Sequence, residues 1–105
     1  MASRIELFWW LGCPSWERAL EMLRSEALRA GLDPAAVRTV EVADEAQAER
    51  LNFPGSPTIL IDGVDVQPPL DPASGLTCRV YRRRDGSISS RPDPEDLRDA
   101  LSRAP

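Results

Sequence analysis

Polar and apolar residues alternate along Arg4-Ile5-Glu6-Leu7, and the run then turns aromatic at Phe8-Trp9-Trp10. That pattern predicts a strand ending at Gly12-Cys13-Pro14. From Ser15 to Ala30 the spacing changes. Trp16, Leu20, Leu23 and Ala27 follow at intervals of four, three and four, which puts them on one face of a helix. Gly31 is a natural stop for it. Val37 to Val42 reads as a second strand. Asp44 opens a second helix, Glu45 to Leu51, and Pro54-Gly55 breaks it. Ser56 to Ile61 reads as a third strand with Pro57 near its start, and Asp62-Gly63 as a tight turn. Val64 to Gly75, with Pro68, Pro69 and Pro72, reads as irregular and is long for a compact domain. Leu76 to Arg83 is expected as a fourth strand. Leu76, Cys78 and Val80 would share its apolar face, alternating with Thr77, Arg79 and Tyr81. Asp85-Gly86 marks a turn, Ser87 to Ser89 a short further strand, and Asp93-Pro94-Glu95 the start of a last helix reaching Arg103.

The order strand, helix, strand, helix, strand, strand, helix favours a parallel pair with a right-handed crossover, closed by an antiparallel pair. The expected fold class is α/β, a four-stranded mixed sheet with helices on both faces. The 105 residues suit one domain, 1–105.

Charge and composition narrow the chemistry. A net charge of −4 argues against nucleic acid as a partner, because phosphate binding needs a dominant basic face. All 13 basic residues are Arg, and there is no His. The usual general base and the commonest metal ligand are therefore absent. The apolar run Leu7 to Leu11 is too short to span a membrane and lacks the layout of an export signal. A reducing cytoplasm is the default, in which Cys13 and Cys78 are expected as free thiols.

Two motifs in this order carry a resemblance: Gly12-Cys13-Pro14-Ser15-Trp16 at the first strand-to-helix junction, and Gly55-Ser56-Pro57-Thr58 before the third strand. With the element order, they make the chain resemble the thioredoxin fold over nearly its whole length (βαβαββα). It looks like a group of small bacterial thioredoxin-like proteins with a Gly-Cys-Pro-x-Trp junction. The resemblance implies a redox site at Cys13 and a cis peptide bond at Pro57 beside it. Trp16 stands where the dithiol motif has its second cysteine, so the junction is of a monothiol kind. Ser90-Arg91-Pro92-Asp93 stands where glutaredoxins carry Gly-Gly-x-Asp, so no motif supports glutathione binding.

Cys13 is the lead candidate for chemistry. At a helix N-terminus, unpaired N–H groups and the macrodipole favour thiolate, the nucleophilic form. The bland alternative is a small capping residue without a task. A cis bond at Pro57 would turn the backbone of Ser56 toward the thiol, where a peptide substrate could add a short strand. Trp16 either packs in the core or flanks the thiol, and Pro14 lies beside it. Cys78 is expected to be buried, near the sheet end away from Cys13, unless the Val64–Gly75 stretch re-sites its strand; a disulfide needs Cα atoms within about 7 Å. Arg79, Arg82, Arg83, Arg84 and Arg91 form a basic group. Arg82 and Arg84 would approach Cys13 and hold a carboxylate of a small thiol, or would only protect a sheet edge.

The expected function is monothiol thiol–disulfide exchange, an oxidoreductase activity. Its partner would be a low-molecular-weight thiol or a protein disulfide, with no cofactor and no resident metal. The alternatives are a non-catalytic binding module for a peptide, a partner protein or a soft metal such as mercury, and a thiol sensor in which Cys13 and Cys78 close reversibly.

Overall fold

The computed structural model describes residues 4–69 and 73–103. Residues 70–72, within the stretch expected to be irregular, lie outside the described residues. The chain runs β1 (Ile5–Trp9), α1 (Trp16–Arg29), a short 3-10 turn (Pro34–Ala36), β2 (Arg38–Glu41), α2 (Glu45–Leu51), β3 (Thr58–Ile61), β4 (Val64–Asp65), β5 (Tyr81–Arg82), β6 (Ile88–Ser89) and α3 (Pro94–Arg103).

One sheet has the order β2-β1-β3-β4. β1 pairs parallel with β2 and antiparallel with β3, and β3 pairs antiparallel with β4. Period-two alternation sends β1 side chains to opposite faces. Ile5 and Leu7 join Ile59 and Ile61 against Leu23 and Ala27 of α1 and Leu97 and Leu101 of α3. Phe8 and Trp10 pack on the other side with Val42, Ala48 and Phe53, around α2. Helices thus cover both faces, as the sequence predicts. Arg98 of α3 donates two hydrogen bonds to the buried Glu26 of α1, at 3.0 and 3.1 Å, and so ties those helices together.

The fourth strand is a correction. It comes from Val64–Asp65, within the stretch expected to be irregular, and not from Leu76 to Arg83. Asp62 (φ 53°) and Gly63 (φ 81°) both turn left-handed. Such a two-residue turn matches the twist of a hairpin and folds β4 straight back on β3. With that edge taken, residues 76–83 take another course. Cys78 forms a single parallel bridge with Ser56. Only Tyr81–Arg82 becomes a strand, paired with Ile88–Ser89 in a separate hairpin.

The inside and outside of this segment are also inverted relative to the alternation. Arg79 and Tyr81 are buried, whereas Cys78 is exposed and Val80 is 66% exposed. Arg79 is buried with partners on both terminal nitrogens of its guanidinium. It donates to both carboxylate oxygens of Asp65 at 2.7 and 3.0 Å, to Thr58 Oγ1 at 3.2 Å and to the Gln67 carbonyl, and its guanidinium lies over the Tyr81 ring. The Tyr81 hydroxyl donates to the Pro57 carbonyl. A buried charge survives only with partners of this kind.

Candidate functional site

The junction after β1 is tight. Cys13 N–H donates to the Trp10 carbonyl at 3.0 Å, closing a turn through Leu11 and Gly12. A Cβ on Gly12 would overlap the Trp10 indole, so any larger residue there must displace that ring. α1 begins at Trp16, later than the Cys-Pro pair suggests, with Ser15 at its N-cap. The Ser15 hydroxyl makes no cap bond to the helix. It lies 3.3 Å from Cys13 Sγ instead. Trp16 is half-buried and stacks on Trp9 with ring centroids 4.1 Å apart, so its main task is packing.

The Ser56–Pro57 bond is cis, as the resemblance implies. The Cys13 thiol donates to the Ser56 carbonyl at 3.4 Å. The Ser56 hydroxyl accepts from Trp10 N–H at 3.0 Å. Ser56 therefore ties the thiol to the end of β1.

Cys13 is 0% exposed. Burial alone would raise its pKa. Hydrogen bonding from the Ser15 hydroxyl and backbone, then contacts with the Cys78 and Ser56 side chains, outweigh burial and hold the thiol below its ordinary value. Cys78 moves the opposite way. Its contact with Cys13 raises its pKa most, followed by burial and by the negative charge on Cys13.

This contact overturns the expectation that Cys78 sits at the far end of the sheet. The Val64–Gly75 stretch re-sites it. Ser56 N–H donates to the Thr77 carbonyl and Arg79 N–H donates to the Ser56 carbonyl, both at 2.8 Å. Gly55 makes the approach possible. Its φ is +134°, and an added Cβ would stand 2.9 Å from the Arg79 Cβ and 3.2 Å from its Cα. Gly75 N–H, donating to the Phe53 carbonyl at 3.0 Å, fastens the near end of the segment. Both backbone groups of Ser56 expected to receive a peptide strand are thus engaged by residues 77–79 of the same chain.

The expected arginines divide. Arg82 is exposed and lines a groove of about 420 Å3 together with Cys78, Arg79, Val80 and Pro54. Arg84 is committed to α3, with hydrogen bonds to Glu95 at 3.0 Å, Asp96 at 2.8 Å and Asp99 at 2.6 Å. It is not turned to the thiol, because the first turns of α3 offer three carboxylates. A polar cleft beside the α1 start is lined by Pro14, Ser15, Arg18, Ser90 and Arg91. Its two arginines share this cleft with Ser15, whose hydroxyl lies against Cys13.

Sequence reasoning missed the roles of Ser15, Gly55 and the Asp65–Arg79 pair. An Arg inside an otherwise alternating run, with an Asp in the preceding turn-rich stretch, was the available signal for the last. Among the described residues, no three His, Cys, Asp or Glu side chains gather where they could hold a metal ion. No helix among them is long and apolar enough to cross a membrane. No protein-family model, curated protein or solved structure matches this chain.

Proposed function

We propose that this protein is a thioredoxin-like thiol–disulfide exchange protein whose nucleophile is Cys13. The observation that carries this is the environment of the Cys13 sulfur. It sits just ahead of α1, against a Ser15 hydroxyl that has left its capping role, with its pKa lowered although it is buried. Buried thiols without such donors are driven the other way. The sheet order β2-β1-β3-β4, the helices on both faces and the cis-Pro57 loop beside Cys13 support the thioredoxin-like reading.

The preferred substrate is a low-molecular-weight disulfide. An extended peptide has no free backbone partner at Ser56 while residues 77–79 stay paired there. The cleft with Arg18 and Arg91 is where an anionic group of such a molecule would sit, in place of the expected Arg82 and Arg84. A reducing compartment such as the cytoplasm, where free thiols persist, fits this reading.

The test is exchange with a small disulfide, followed by release of its thiol. Cys13→Ser is expected to abolish release and Cys78→Ser to leave the first release intact. Release by Cys13→Ser at the wild-type rate would remove the proposal and favour a non-catalytic binding module.

A further inference from the structure

Trp16 cannot resolve a mixed disulfide on Cys13, yet the chain brings a second thiol to the same place by another route. We infer that Cys78 is the resolving thiol for Cys13, presented by a segment of the chain docked on Ser56 where a substrate strand would lie. This inference rests on the nucleophilic role of Cys13 proposed above.

Three features of the geometry carry it. First, Ser56 and Cys78 are bridge partners. Neighbouring strands lie about 4.8 Å apart, and bridge partners project to the same side. The Ser56 hydroxyl and carbonyl are the groups that meet Trp10 and Cys13. Cys78 therefore projects on the side of Ser56 where Cys13 lies, and the two thiols interact there. Second, the placement is built and not incidental. Two backbone hydrogen bonds, a glycine with no room for a Cβ, and the buried Arg79–Asp65 pair all hold the residues flanking Cys78. Third, Cys78 opens to the outer groove while Cys13 has no surface of its own. The pair thus has an inner, enclosed sulfur and an outer, accessible one. The contact between them lowers the pKa of Cys13 and raises that of Cys78.

The chemistry balances as follows. Residues 77–79 shift away from Ser56 to uncover Cys13, and its thiolate attacks one sulfur of a small disulfide, R–S–S–R. A Cys13–S–S–R bond forms and the first R–S⁻ leaves. Cys78 then loses its proton to that leaving thiolate or to water and attacks Cys13 Sγ. The Cys13–Cys78 bond forms, and the second R–S⁻ departs and takes up a proton. One small disulfide is reduced to two thiols, and the protein's two thiols become one disulfide. An external dithiol reductant resets the pair.

The test uses the full chain and hydroxyethyl disulfide, with intact mass and peptide mapping under non-reducing conditions. Wild type is expected to end two hydrogens lighter, without adduct, with the Cys13 and Cys78 peptides joined. Cys78→Ser is expected to hold a stable hydroxyethyl adduct on Cys13, and Cys78→Ala, which tests for any effect of the serine, to do the same. An adduct that persists on wild type as it does on Cys78→Ser overturns this inference and leaves the exchange proposal standing. No adduct on either Cys78 variant and no reaction of wild type overturns both. No adduct on either variant together with a closed disulfide in wild type overturns the assigned order, because Cys78 is then the attacking thiol.

Discussion

Ser56 and Cys78 face one another across a single parallel bridge, and the Ser56 carbonyl accepts from both the Arg79 N–H at 2.8 Å and the Cys13 thiol at 3.4 Å. One carbonyl thus links the end of β1, the cis-Pro57 loop and a segment far along the chain. Any change that shifts residues 77–79 is felt at the Cys13 sulfur.

Gly55→Ala gives the first prediction. Alanine at φ +134° is strained, and its methyl meets the Arg79 backbone and Cβ. The segment carrying Cys78 must move outward. Stability is expected to fall by about 1–3 kcal/mol, and iodoacetamide is expected to reach Cys13 faster than in wild type. Unchanged alkylation of Cys13 would mean that the segment does not cover it.

The Arg79–Asp65 pair gives the second. Arg79→Met leaves the Asp65 carboxylate and the Gln67 carbonyl without their main partner. Breaking one side of a buried pair costs about 3 kcal/mol or more. Urea unfolding is expected to show that loss. The double variant Arg79→Met, Asp65→Asn is expected to recover part of it, since an unpaired carboxylate is then no longer buried. Equal losses in the single and double variants would place the cost in packing alone.

Ser15→Ala separates two roles of one hydroxyl. A capping serine is worth about 1 kcal/mol to its helix. The Ser15 side chain makes no cap bond, so thermal stability is expected to change by much less than that. The Cys13 pKa is expected to rise, because the largest of its lowering contacts is lost. A full capping loss with an unmoved thiol would reverse the assignment.

Glu26 gives a pH prediction. Its carboxyl is held below the ordinary range, chiefly by the hydrogen bonds from Arg98. A depressed folded-state value contributes stability that is present above the unfolded value of about 4.3 and is lost as pH falls through the folded value. Glu26→Gln is therefore expected to lower the melting temperature at neutral pH and to flatten its decline in acid. Parallel acid curves for variant and wild type would show that other carboxylates govern that decline.

Much of the scaffold was legible in the sequence. The alternation through Ile5 and Leu7, the stripe at Leu23 and Ala27 and the breaker at Pro54-Gly55 placed β1, α1 and the end of α2 within a few residues. These signals are local, and local periodicity reports which face is buried. The segment 76–83 was misread for the same reason. Its alternation put Cys78 and Val80 inside. The buried side includes Arg79 because a distant carboxylate, Asp65, partners its charge there. The meeting of Cys78 with Cys13 follows from β4 taking the sheet edge, a tertiary event that no window of the sequence contains. The position of Cys13 between β1 and α1 and the cis bond at Pro57 were legible because both sit in short motifs beside a strand.

The most direct measurement is a thiolate-absorbance titration of Cys78→Ser, which reads Cys13 alone and needs no reagent to enter the site. The serine keeps a hydroxyl donor where the second thiol stood. A midpoint well below the free-cysteine value of about 8.5 is the predicted result, and it would show Cys13 poised as a nucleophile at neutral pH. A midpoint at or above that value would contradict the account, because burial would then prevail over Ser15 and Ser56 and the exchange chemistry would have no thiolate to begin it.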